Sequence, residues 1–211
     1  MLFELSIAII TGAIGSYFCF FNPALLSGNI VELQSTKLKW IATVFSLICS
    51  ISFLFLVASE NHNKWLEVSF FLVLYFISVT DLYSKIIPNK LVFLLLILSA
   101  IQLYFHFDAE RIVAFGLITV LLIALNLLAN KYFGKLLFGW GDVKLIGVLS
   151  LSVGWEIVWV VYIALVLGGL LSIIGVLAKK ISRNSKIPFV VFLFFGMLIL
   201  HLEIIGSLFY L

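Results

Sequence analysis

EIVWVVYIALVLGGLLSIIGVLA, residues 156–178, carries no charge between Glu156 and Lys179. A helix that crosses the hydrocarbon of a bilayer needs roughly 20 apolar residues, and this stretch supplies them. Similar runs recur to its N-terminal side and once beyond it. The chain reads as eight apolar segments, at roughly 3–21, 40–58, 65–83, 89–106, 111–129, 143–154, 156–178 and 188–208. The sixth is short, which predicts a partly inserted or tilted helix bounded by Gly141 and Gly154.

Composition points the same way. Hydrophobic residues make up 64% of the chain and charged residues 11%, with a mean hydropathy of +1.27. Soluble domains average about 25% charged residues, so this chain lacks the polar surface that water requires. The expected fold is all-α: a polytopic membrane helical bundle in one domain, residues 1–211. A membrane β-barrel would show alternating segments of about ten residues, whereas these runs are continuous and helix-length. Glu4 stands where a signal peptide carries Lys or Arg, so the first segment is expected to stay on as a helix.

Charge placement orients the segments. Lys37 and Lys39 follow the first segment, Lys85 and Lys90 the third, Lys131, Lys135 and Lys144 the fifth, and Lys179, Lys180, Arg183 and Lys186 the seventh. The other connections hold only Lys64 and Arg111, beside Glu60, Glu67, Asp108, Glu110 and Glu156. Basic loops stay in the cytoplasm, so both termini are expected on the opposite side. The net charge of +3 is then a topology signal and does not call for nucleic acid as a partner.

Pro23, Pro88 and Pro188 all fall at expected cytoplasmic helix ends, where a missing N–H costs little. Ala164, Gly168 and Ser172 repeat every four residues on the seventh segment, a small-residue stripe for close helix packing. Asn126, inside the fifth, reads as glue between helices, or as a polar group lining a path. Cys19 and Cys49 lie in apolar runs and read as small buried hydrophobes. His62, His106 and His201 are scattered, so no metal site built from His and Cys is expected.

Two acidic residues stand at cytoplasmic membrane ends beside apolar helix. Asp81, in FISVTDLYSKIIPN, closes the third segment; Asp142, in FGWGDVKLIG, opens the sixth. The third segment runs inward and the sixth outward, so the expected topology brings both carboxyls to one face at similar depth. Two neighbouring carboxyls do not readily both ionise and share a proton instead. The ionised partner takes a proton from water, and the protonated one polarises a scissile carbonyl. Such a pair titrates as a unit, so neither residue is assigned a fixed role. Gly139 and Gly141 are expected to free the backbone beside Asp142 for unusual conformations and for a substrate strand. Plainer readings exist for each alone. Asp142 suits a helix N-cap, and Asp81 suits a solvated helix end paired with Lys85. Lys85 and Lys144 read as headgroup anchors rather than catalysts.

Gly139-Trp140-Gly141-Asp142 followed by Val143-Lys144-Leu145 resembles the second active-site motif of type IV prepilin peptidases. Asp81 followed by Ile87-Pro88-Asn89 resembles their first motif. GAIGSYF at 12–18 is similar to their opening helix, and Lys186-Ile187-Pro188-Phe189 to the run before their last. The resemblance implies an aspartic endopeptidase of the cytoplasmic (inner) membrane, with Asp81 and Asp142 catalytic. Gly139, Gly141, Lys144, Pro88 and Asn89 would belong to the active-site loops. The implied substrates are prepilin-like precursors, pilins, pseudopilins or preflagellins, cut at the cytoplasmic face after a glycine. Bifunctional members carry a cytoplasmic insert after the first helix, often with two CxxC pairs for zinc. Here that loop is only about residues 22–39 and holds no cysteine. The chain therefore resembles the short peptidase-only members, including those of tight-adherence pilus systems and archaeal preflagellin peptidases. No N-methyltransferase activity, S-adenosylmethionine site, metal or other cofactor is implied.

Pro23-Ala24-Leu25 spells the PAL motif of presenilin-like proteases, but those enzymes carry it after GxGD, whereas here it lies far upstream. A presenilin-like protease of transmembrane helices is one alternative. A small proton- or cation-coupled transporter is another, since acids within membranes often carry ions, but it favours carboxylates at the midplane and repeat symmetry. A structural membrane subunit would leave the two aspartates unexplained.

Overall fold

The computed structural model describes residues 64–178 and 188–201. The first two expected segments, the 22–39 loop, Cys19, Cys49, His62, Pro23, the 12–18 stretch, the basic residues 179–186 and the end of the eighth segment lie outside the described residues. Among those described there is no strand. Six α-helices succeed one another: α1 Lys64–Ser84, α2 Asn89–Phe105, α3 Ala109–Phe133, α4 Trp140–Val153, α5 Ile157–Leu177 and α6 Phe189–His201, with a 3-10 turn Gly154–Glu156 between α4 and α5. They coincide with the third to eighth expected segments. Three stretches are long and apolar enough to cross a bilayer, Trp65–Ser84, Ala109–Phe133 and Trp140–Ile174; Asn89–Phe105 and Phe189–His201 are shorter apolar helices.

The chain divides into two compact units, Met1–Leu91 and Val92–Leu211. In the first, α1 is buried over most of its circumference, with Phe70, Leu74, Ile77 and Ser78 among its most enclosed residues. Its hydroxyls turn inward on the helix: Ser78 donates to the Leu74 carbonyl and Thr80 to that of Ile77, both at 2.8 Å. Hydroxyls satisfied in this way leave no bare donor in an apolar setting. The helix stops at Lys85, whose φ of 54° is left-handed and whose N–H bonds to the Asp81 carbonyl at 2.9 Å. Glycine usually takes that position.

The second unit is built around α4, whose residues Val143 and Leu145–Ser152 are all buried. α3 packs along α4 and against the 3-10 turn, and α5 packs on α6. Only one stripe of α3 turns inward, through Ala114, Ile118, Leu122, Asn126 and Ala129. Its other side leaves Val113, Leu117, Val120, Leu121 and Leu128 exposed. Apolar residues on both faces are what a helix between protein and hydrocarbon requires.

Glycines set the close approaches. A Cβ on Gly147 of α4 would stand 2.6 Å from the Thr119 hydroxyl oxygen of α3, and one on Gly196 of α6 would stand 2.9 Å from the Val160 carbonyl oxygen of α5. On α5, Ala164 is fully buried and Gly168 lies against the Phe192 ring of α6. That is the packing expected of the small-residue stripe. Gly154, at φ 66° and ψ −137°, turns the chain from α4 towards α5. The expected sixth helix is corrected at its start. It begins at Trp140, so Gly141 lies inside it rather than bounding it.

Candidate active site

Asp142 occupies the first turn of α4, and the local sequence explains its pose. Gly139 is the N-cap, at φ −60° and ψ 145°, and the first helical bond runs from the Val143 N–H to the Gly139 carbonyl at 3.1 Å. Asp142 is therefore the third helical residue, not the cap. Its carboxylate reaches back to accept a hydrogen bond from the Gly139 backbone N–H. An acid at this position satisfies one of the donors a helix start leaves unpaired and complements the helix dipole.

The reason for glycine at 139 is space. Its φ and ψ are ordinary, and so is the φ of Gly141 among the described glycines, which corrects the expectation of unusual backbone at both. A Cβ on residue 139 would lie 2.9 Å from Asp142 Oδ2. The carboxylate can fold back over its own helix start only because nothing projects there. Asp142 is half-buried, Val143 is buried and Lys144 is exposed.

The loop before this turn is tied to α3. Asn126, fully buried, donates through Nδ2 to the Phe138 carbonyl and accepts through Oδ1 from the Phe138 N–H, both at 2.9 Å. α3 itself ends seven residues later, capped by Gly134 at φ 64° with its N–H on the Asn130 carbonyl. The chain thus doubles back beside α3 by about two turns, on the order of 10 Å, before α4 begins. Phe138 also meets Phe189, the first residue of α6, with ring centroids 6.2 Å apart.

In the other unit, Asp81 lies in the last turn of α1 and is buried, at 7% exposure. The chain then leaves α1 through Lys85 and restarts at Pro88-Asn89. The Pro88 carbonyl accepts the Leu91 N–H at 3.1 Å, and Asn89 is the first residue of α2 and exposed. Proline is placed here as expected, just before a helix, and so is Pro188 before α6. The expected site residues thus fall into two groups. Asp81, Pro88 and Asn89 belong to the first unit, and Gly139, Gly141, Asp142 and Lys144 to the second.

Sequence reasoning missed Asn126's partner, Phe138 and Phe189. A polar residue inside an otherwise apolar helix was the visible signal. Its partner was not visible, because the bond goes to backbone atoms across a loop, where side-chain identity carries no information.

Comparison with curated proteins and with solved structures finds no match. A family model described as the type IV leader peptidase family matches residues 68–199, more than half of the chain and a stretch that holds both Asp81 and Asp142. The chain is therefore a peptidase belonging to the type IV leader peptidase family.

Proposed function

We propose that this protein is an aspartic endopeptidase of the cytoplasmic membrane that removes the short basic leader from type IV prepilin-like precursors, after a glycine. The observation that carries the reading is the span of the family match, which takes in both aspartates together with the loops beside them. Asp81 and Asp142 act as one pair within a single peptidase domain. One carboxylate, ionised, takes a proton from the attacking water; the other, protonated, hydrogen-bonds the scissile carbonyl and stabilises charge developing on its oxygen. Water attacks the carbonyl carbon, the tetrahedral intermediate collapses, and the proton passes to the departing amine of the mature chain.

Both termini lie outside the cytoplasm in this reading, and the pair faces the cytoplasmic end of the bundle, where the leader is accessible. Pro88, Asn89, Gly139, Gly141 and Lys144 belong, in this reading, to the active-site loops. The short 22–39 loop supports a peptidase without N-methyltransferase activity, cofactor or metal. The bilayer and the precursor are the partners; nucleic acid is not.

The test is leader cleavage of a candidate prepilin in membranes containing the parent, Asp81→Asn or Asp142→Asn at equal abundance. The parent is expected to cleave and each variant to lose cleavage by several orders of magnitude. Normal cleavage by either variant removes that aspartate from the mechanism.

A further inference from the structure

Asn126 sits near the middle of the second half of α3, a 25-residue helix, and is fully buried. Burying an amide without partners costs several kcal/mol, so its neighbours decide whether the position makes sense. Among the described residues it bonds no side chain of another helix. Both of its polar ends go to one residue's backbone: Nδ2 to the Phe138 carbonyl and Oδ1 to the Phe138 N–H, each at 2.9 Å. This is the hydrogen-bond pattern of one strand residue facing another, made by a side chain. It fixes the Phe138 backbone in position along α3 and in rotation about its own axis.

The residues just beyond Phe138 give this clamp its consequence. Gly139 is the N-cap of α4, and the third helical residue after it is Asp142. The short segment from the clamped backbone to the carboxylate is bonded at both polar groups of Gly139. Gly139 is held by the Val143 N–H on its carbonyl, and its own N–H is held by the Asp142 carboxylate. A shift of the Phe138 backbone is therefore passed on to Asp142.

We propose that Asn126 is a positioning residue for Asp142: its amide brackets the Phe138 backbone and so sets where the α4 start, and the carboxylate on it, stands. This rests on the reading of Asp142 as catalytic. Asn126 touches no reacting atom. Leucine would fill much of the same space but offers neither bond. Aspartate keeps the acceptor for the Phe138 N–H and loses the donor for the carbonyl while ionised. Protonated, its O–H replaces that donor.

The experiment compares parent, Asn126→Leu and Asn126→Asp in membranes, measuring leader cleavage as kcat and KM across pH, with abundance matched. Misplacing a reacting group by about 1 Å costs up to about a hundredfold in rate. Asn126→Leu is expected to lose on the order of tenfold to a hundredfold in kcat with KM little changed. Asn126→Asp is expected to regain activity relative to the parent as pH falls, since only its protonated form restores the missing donor. A residue that merely fills space would not shift the pH profile in that direction. Parent-like kcat in Asn126→Leu, or a parent-like pH profile in Asn126→Asp, overturns the proposal. If Asn126→Leu does not accumulate, the pH profile of Asn126→Asp decides alone. If the parent cleaves no leader, the functional reading fails, and amide exchange at Phe138 then tests the clamp. Exchange at least about tenfold faster in either variant than in the parent supports the clamp, and equal rates overturn it.

Discussion

Gly139→Ala separates folding from catalysis more cleanly than any other single change. The new methyl would lie 2.9 Å from Asp142 Oδ2, inside the contact distance of about 3.5 Å that carbon and its neighbours prefer. The obstructed atom is the tip of a side chain, so the carboxylate swings away and the helix stays. Glycine to alanine at an N-cap costs about 1 kcal/mol, which a folded bundle tolerates. The swing breaks the hydrogen bond from the Gly139 N–H. Hydrogen bonds to charged groups contribute about 1.5–3 kcal/mol, so the expected loss in cleavage rate is roughly tenfold to a hundredfold. The assay is kcat for leader cleavage beside thermal stability of the purified protein in detergent. Stability is expected to fall slightly and kcat strongly. Alanine at 139 with full activity would refute the reasoning, because Asp142 would then not depend on the space above its own helix start.

Two further glycine substitutions probe the packing that carries the site. Gly147→Ala places a methyl 2.6 Å from Thr119 Oγ1 and is expected to destabilise the protein by about 1–3 kcal/mol. Adding Thr119→Ala removes the obstruction, so the double variant should recover most of that loss in thermal denaturation; strictly additive losses would mean that the two helices do not meet there. Gly154→Ala forces a side chain into φ 66° and ψ −137°, close to a region that glycine alone occupies. A loss of about 1–3 kcal/mol is expected, and unchanged stability would count against the corner between α4 and α5.

Much of this molecule was legible in its residues. The positions of α1 to α6 follow from apolar run length, because a bilayer demands about 20 apolar residues from any helix that crosses it. Asp81 and Asp142 stood out for the same reason: a charge beside hydrocarbon is expensive, so the few that remain invite a function. Pro88 and Pro188 marked helix starts through their missing N–H. Other features needed the folded chain. α3 is apolar almost all round, so no periodicity separates its inward stripe, Ala114 to Ala129, from the side left exposed. Oily surroundings remove the polar face that reveals orientation in a soluble helix. Gly139 and Gly141 suggested unusual backbone, yet Gly139 is needed for the space its missing Cβ leaves, a property of where the Asp142 side chain points. Asn126 was visible as an anomaly and its meaning was not, since its partners are the N–H and carbonyl of Phe138. Backbone atoms are the same in every residue, so which of them meets a buried amide is decided by the path of the chain alone.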